Sequence, residues 1–516
     1  MFFASLNHMF HCGAWNTVNR NVVRSYTTVT TRNSSLTVGD GFHPKLRAVI
    51  NQLDGVAPRF LLKQGEISIL SHPEEFYSLL KEKIAGAQKR IFLSSLYIGK
   101  AQDELVGCLA SALRENSKLK VSILADALRS TREEPERCPA TLLAGLVEEF
   151  GQHRVDVRMY HTPHLNGINK AVFPRRLNEI WGLQHMKIYG FDHEVILSGA
   201  NLSQDYFTNR QDRYYVFKSE KLSDYYFKVQ SAIGSLSYQL LPSNSKSTFR
   251  LYWPSSNKTS EPHLNLERFI IDSTFFLHKV LKESGSESAE PIVTQPNDTV
   301  VYPVSQFTPL MKPDQSTEKP AILRLLSLLD SPTTKWTFTA GYFNMHSQLQ
   351  KRFLSALGQG TIITAAPEAN SFYKSGGISY YLPAAYLYNT KKFLESVRDN
   401  RRDAQINVYE WQNGIVNTVG GWSYHAKGIW ITAPDENEPS ITVVGSSNYT
   451  KRAYSVDLET NAVIITSDPD LKSKMQAEIE HLQQYTTKIA LKDFEKEGRK
   501  ISPGVVLATK ILSPLL

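Results

Sequence analysis

His185-Met186-Lys187, Asp192, Ser198-Gly199-Ala200-Asn201 and Asp212 follow one another in the first half of the chain, and the order returns as His425-Ala426-Lys427, Gly445-Ser446-Ser447-Asn448 and Glu459. In both copies an acid stands eleven residues after the asparagine. The interval from histidine to asparagine is 16 residues in the first copy and 23 in the second. The difference places an expansion at the polar turn Pro434-Asp435-Glu436-Asn437-Glu438-Pro439. One His-x-Lys is common, but two with matching small-small-Asn steps and acids at equal offset point to a duplicated unit.

Working outward, the same order of elements precedes each copy. Ile91–Ile98 reads as a strand, Asp103–Glu115 as a helix and Leu119–Leu124 as a second strand ending at Asp126. In the later half Trp336–Tyr342 reads as a strand, Ser347–Leu357 as a helix and Thr361–Ala365 as a strand. Strands alternating with helices predict the α/β class: two tandem domains, each a mixed, mostly parallel sheet flanked by helices; the two repeated residue sets, brought together, put the active site at the domain interface. The expected boundaries are 45–245 and 250–490, with a Ser-, Glu-, Pro- and Asp-rich loop or linker at 283–319 and a carboxy-terminal segment at 491–516.

Composition removes other classes. With 516 residues and 41% hydrophobic content the chain has length and apolar residues enough for a real core. No run of about 18 apolar residues predicts a membrane-spanning helix. Cys12, Cys108 and Cys138 have neither disulfide nor zinc-ligand spacing. Lys and Arg total 58 against 50 acids, a net charge of +8 that suits phosphate-bearing partners without the strong basicity of a nucleic-acid binder, so no nucleic-acid partner is expected. Residues 1–39 hold no acid, ten Ser/Thr and Arg20, Arg24 and Arg32, the composition of a mitochondrial presequence.

The repeated residues carry a chemistry. A histidine whose one ring nitrogen is fixed by a carboxylate presents the other to a substrate. Asp212 is the expected orienting group for His185, and Glu459 for His425. Lys187 and Lys427, two residues along the same strands, face the same way as the histidines and supply fixed positive charge. Asn201, Asn448 and Ser446 offer hydrogen bonds to phosphate oxygens. Two such sets at one pocket make a phosphoryl-transfer site in which one histidine attacks phosphorus and the other moves a proton. The chemistry needs no metal or other cofactor; the sequence is silent on divalent-ion stimulation.

These residues resemble the phospholipase D superfamily, whose two H-x-K-x4-D copies form a phosphohistidine. The phrases His185–Asp192, Ser198–Tyr214 and Tyr424–Gly428 are similar to the eukaryotic mitochondrial phosphatidylglycerophosphate synthases, over roughly residues 45–490. The resemblance implies two phospholipase D-like domains and transfer of a phosphatidyl group from CDP-diacylglycerol to glycerol 3-phosphate, releasing CMP. It further implies a place in the route to phosphatidylglycerol and cardiolipin, at a membrane surface on the matrix face of the mitochondrial inner membrane. His185, Lys187, Asp192, His425 and Lys427 match the family's catalytic motif. Two positions depart from it: Thr432 stands where the second Asp would fall, and Gly199 where a serine is usual. This inequality assigns His185 as nucleophile and His425 as general acid, then base.

A phosphorylated acceptor calls for a further basic subsite, for which Arg129, Arg132, Arg175, Arg176 and the Arg210/Arg213 pair are the expected residues. Contact with lipid is expected from Phe275-Phe276-Leu277 beside Lys279 and Lys282, or from the apolar stretch Pro503–Leu512. The same motifs would also serve a phospholipase D-like hydrolase, a nuclease, a cardiolipin synthase or a non-catalytic lipid-binding scaffold.

Overall fold

The computed structural model describes residues 42–165, 175–243, 248–283 and 297–512; the stretch read as a presequence lies outside them. Eleven strands belong to the first part of the chain: β1 (Phe60–Leu62), β2 (Ile67–Leu70), β3 (Arg90–Ser94), β4 (Lys120–Asp126), β5 (Val155–Tyr160), β6 (Ile188–Phe191), β7 (Glu194–Ser198), β8 (Arg210–Gln211), β9 (Tyr214–Lys218), β10 (Tyr238–Pro242) and β11 (Phe249–Tyr252). The second part supplies β12 (Thr299–Gln306), β13 (Lys335–Ala340), β14 (Gln359–Ala365), β15 (Ile406–Trp411), β16 (Ser423–Tyr424), β17 (Lys427–Thr432), β18 (Ile441–Gly445), β19 (Glu459–Thr466) and β20 (Thr486–Ile489).

These strands form two nine-stranded sheets with the same plan. One runs β11-β10-β5-β4-β3-β6-β7-β9-β2, the other β20-β15-β14-β13-β17-β18-β19-β12-β1. In each, three strands are parallel (β3, β4 and β5; β13, β14 and β15) and every other neighbour is antiparallel. The mixed α/β class and the duplication hold. The sheets are mostly antiparallel rather than mostly parallel, because the motif-bearing strands return as hairpins, β6–β7 and β17–β18, with no crossover helix between them.

The boundaries shift for physical reasons. Helix α1 (Pro44–Asp54) and β1 join the second sheet: β1 pairs with β12, and Leu46, Val49, Ile50 and Leu53 pack with Tyr302, Val304 and Ile322. The first repeat therefore begins at β2, and it extends past 245 to β11, which pairs with β10. The segment read as a linker at 283–319 contains β12, eight fully buried residues paired along their whole length with β19. A turn-rich composition around it hid a strand whose Thr299, Val300, Val301, Tyr302 and Val304 have strong β preference. Between the sheets lies one apolar layer shared by both repeats, including Ile188, Leu197 and Tyr215 from the first and Val301, Val444, Leu458 and Ile464 from the second.

Candidate active site

Backbone pairing across the repeats brings the motifs together. Ahead of β6, the His185 amide donates to the Leu458 carbonyl (2.9 Å) and the Leu458 amide to the Leu183 carbonyl (2.8 Å). Ahead of β17, the His425 amide donates to the Gln211 carbonyl (2.9 Å), and β16 runs parallel to β8 with Tyr424 opposite Gln211. Each histidine is thereby laid beside the residue that precedes the other repeat's acid. Nδ1 of His185 lies 2.8 Å from Oε1 of Glu459, and Nδ1 of His425 lies 2.6 Å from Oδ2 of Asp212. The expected pairing is corrected: each carboxylate orients the histidine of the opposite repeat. Equal spacing within a repeat carries no information about which copy an acid faces.

With Nδ1 committed to a carboxylate, Nε2 is the nitrogen left for chemistry on each ring. The lysines differ. Nζ of Lys427 donates to Asp212 (3.2 Å) and to the His425 carbonyl (2.7 Å), and stands 2.8 Å from Nδ1 of His425. Nζ of Lys187 donates to the His185 carbonyl (2.7 Å), and no carboxylate lies within ion-pairing distance of it among the described residues. Burial first, then Lys187, holds the His185 ring well below its usual range, and burial with Lys427 does the same to His425. Burial pushes Glu459 up to about 8, against the pull of Lys187, and Lys187 itself down to about 7. Asp212 is lowered: burial acts to raise it, but Lys427 and His425 outweigh that.

The chain as a whole has counterparts among known proteins. Residues 325–483 match the family described as cardiolipin synthase, phospholipase D-like domain. The CDP-diacylglycerol–glycerol-3-phosphate 3-phosphatidyltransferase of Saccharomyces cerevisiae is 52% identical over 466 residues, covering 89% of either chain. The human enzyme of that name, designated mitochondrial, is 32% identical over 483 residues, covering 89% of this chain and 84% of its own. The chain belongs to this phosphatidyltransferase family. The solved phosphatidylserine synthase of Haemophilus influenzae shares the fold, with a TM-score of 0.67 at 20% identity over 92% of this chain and all of that one.

Several further positions of this phosphatidyltransferase-family chain differ from expectation. Asp192, grouped with the catalytic motif, sits in the turn after β6 with φ of 49° and accepts the amides of Gln88, Lys89 and Arg90 at 2.7, 2.8 and 2.9 Å. It pins the hairpin to the start of β3 and does not reach the histidines. Ser446, expected on phosphate, donates to the Thr460 carbonyl (3.2 Å) and accepts the Thr460 amide (3.1 Å), so its hydroxyl is held by β19. Asn201 donates to the Tyr206 hydroxyl (3.2 Å), and that hydroxyl lies 3.4 Å from Nε2 of His425. The Oδ1 atoms of Asn201 and Asn448 are buried without a hydrogen-bond partner.

Of the expected subsite arginines, Arg210 is among the charges that lower His425. Its guanidinium bonds Asp205 (2.9 Å) and Ser423 (3.0 Å) and lies 4.4 Å over the Tyr206 ring. Arg129 stacks on Tyr97 (4.2 Å), Arg132 pairs with Glu179 (2.6 Å), and Arg175 donates to the carbonyls of Thr131 and Arg132, both at 3.3 Å. The side chain of Arg176 lies outside the described set. Arg213 is a fully buried bolt between the repeats, donating to Glu478 (2.8 Å), Thr442 (2.8 Å) and the Val443 carbonyl (2.7 Å) with Trp430 stacked 3.8 Å away.

Sequence reasoning missed Arg452, which pairs with Asp457 (2.8 Å) and is among the charges that hold His185 down. It also missed Tyr342, whose ring meets His425 edge-on at 5.4 Å and stacks on Tyr386 at 5.4 Å. The signal available was position: Arg452 follows Asn448 by four residues, and Tyr342 lies two residues past the end of β13. Among the described residues no group of three or more His, Cys, Asp or Glu side chains could hold a metal ion.

Proposed function

We propose that this chain transfers a phosphatidyl group from CDP-diacylglycerol to sn-glycerol 3-phosphate through a phosphohistidine on His185. The observation that carries the reading is the crossed pair of carboxylate-anchored, neutral imidazoles at one interface. Nε2 of His185, on the more exposed of the two side chains at 12% against 5%, attacks the phosphatidyl phosphorus, and the bond to CMP breaks. CMP leaves as a phosphate monoester, an oxygen already acidic with a second pKa of about 6, so this step asks little of a proton donor. The second step asks for a base. Neutral His425 takes the proton from the acceptor hydroxyl, the new phosphorus–oxygen bond forms, and phosphatidylglycerophosphate departs as His185 is released.

Lys187 and Lys427, with the amides of Asn201 and Asn448, stabilise the charge on the transferring phosphate, and Arg210 and Arg452, which act electrostatically on His425 and His185, are the residues assigned to the acceptor's phosphate. No metal or other cofactor has a role in this scheme. The acid-free 1–39 segment and the mitochondrial designation of the human relative support work in mitochondria, and the lipid substrate of the proposed reaction leads us to assign that work to the membrane surface, at the matrix face of the inner membrane. The product there feeds the route to phosphatidylglycerol and cardiolipin.

The test is CMP release from CDP-diacylglycerol in detergent, with and without glycerol 3-phosphate. Acceptor-dependent release with a phosphatidylglycerophosphate product is expected, and release falls by at least about 10³-fold in His185→Ala and in His425→Ala. Equal release without acceptor means a hydrolase, and a His185→Ala protein that turns over normally removes the phosphohistidine.

A further inference from the structure

We infer that two loops beside the His425 strand, residues 371–381 and 412–422, form the face that docks on a bilayer of anionic phospholipid. The placement rests on the lipid-substrate reading above and locates the surface through which that substrate arrives. Both loops are tied to the site. Ser371 bonds the hydroxyl of Tyr342 (2.6 Å), the residue whose ring meets His425, and the loop runs on into helix α2 (Leu382–Asp399), whose Tyr386 stacks on the same ring. The 412–422 loop leaves β15 and re-enters β16 directly ahead of His425, with Asn209 holding the Gly421 carbonyl (2.9 Å). The Val416 amide donates to the Glu368 carbonyl (2.9 Å), just ahead of the first loop, so the two stand side by side.

These loops present large apolar side chains to solvent, beside the exposed uncharged polar residues Gln412, Asn417 and Thr418. Tyr380 and Tyr381 are 57% and 56% exposed, Val419 is fully exposed, and Ile415 is also exposed. Tyr485, another exposed aromatic, accepts the Gln412 amide at 2.8 Å and extends the patch. Large exposed apolar side chains on adjacent loops mark an interaction surface. Charge selects the occupant. Across the 22 residues of the two loops there is one charge, Lys374, and no acid, where the chain as a whole is 21% charged. A rim of Tyr, Ile and Val with a lone lysine suits the headgroup–acyl boundary and its anionic phosphates. By contrast, helix Leu266–Glu283, which exposes Ile271 and Phe275, carries six charges in 18 residues, three of them acidic, as an ordinary solvated face does. No helix among the described residues is long and apolar enough to cross a membrane.

The experiment compares the full chain with Tyr381→Glu/Val419→Glu and Ile271→Glu/Phe275→Glu in flotation with phosphatidylcholine–phosphatidylglycerol vesicles, and in CMP release from detergent micelles and from vesicles. The loop variant is expected to bind vesicles about tenfold or more weakly and to lose vesicle activity in proportion, with micelle activity and thermal unfolding unchanged. Flotation equal to the unmodified chain, or loss in the Ile271/Phe275 variant instead, overturns the docking face. Absence of CMP release from micelles by the unmodified chain overturns the transferase reading alone, because flotation is scored without turnover.

Discussion

His185 and His425 are held by the same device, yet the charges beside them are not arranged alike. At His425 the lysine ammonium touches both members of the pair, 3.2 Å from Asp212 and 2.8 Å from the ring nitrogen, and Asp212 stays ionised. At His185 the lysine bonds only a backbone carbonyl, and Glu459 is pushed up to about 8. A single position explains much of this. A Cβ at Gly199 would come within 2.2 Å of Lys427 Nζ and 2.5 Å of Asp212 Oδ1, so the missing side chain is the space the ion pair occupies. The equivalent position in the other repeat is Ser446, whose hydroxyl is held by the Thr460 backbone. Duplication thus reproduces backbone geometry, while one small residue makes the two half-sites electrostatically unequal.

The sharpest break of this comparison is to neutralise each acid. Asp212→Asn removes an ionised partner from His425 and leaves Lys427 buried without a counter-charge, so kcat should fall by about 10³ to 10⁴-fold and stability by about 3–5 kcal/mol. Glu459→Gln replaces a group already inclined to hold a proton, and about 10 to 100-fold is expected. Equal losses in steady-state kinetics would make the half-sites equivalent. Next comes Gly199→Ser, which drives a side chain into the Lys427–Asp212 contact and should cost about 10 to 100-fold in kcat, whereas Ser446→Gly should cost no more than about threefold.

The pH profile sharpens the comparison further. Both imidazoles are lowered by burial and neighbouring lysines, so they remain neutral as pH falls from 7 towards 6, and kcat/KM should stay flat where an ordinary histidine would be charging. Lys187, held down to about 7, loses its proton as pH rises through that value, and an alkaline decline near 7 should follow. Lys187→Arg keeps its charge and should abolish that decline; a decline that persists assigns it elsewhere. The smallest effect on turnover belongs to Asp192→Asn. It weakens acceptance of three backbone amides remote from the histidines and should cost about 1–2 kcal/mol in denaturant unfolding with kcat nearly unchanged.

Tertiary contacts also overrode the reading of the arginines. Arg213 and Arg210 stand near each other in a basic, tyrosine-rich phrase, and nothing local separates a ligand-binding arginine from a structural one. Glu478, 265 residues away, claims Arg213 for the interface between repeats. Helix α1 and β1 teach the same point. They stand at the start of the expected first domain, but the sheet they join belongs to the second repeat, and only the pairing of Phe60 with Val301 reveals it.

What the sequence by itself determined is whatever depends on neighbours a few residues apart. The strands and helices at 90–126 and 335–365 form close to where period and composition put them, and the histidines and acids of the repeated motif meet across the two repeats. Strand alternation and helix periodicity are local, and a duplicated motif signals itself by recurrence. The tertiary structure alone decided which acid serves which histidine, which lysine is paired, and which arginines are bolts. Those outcomes depend on contacts between residues more than 200 positions apart, such as His185 with Glu459 and His425 with Asp212, and backbone hydrogen bonds across the repeats set them.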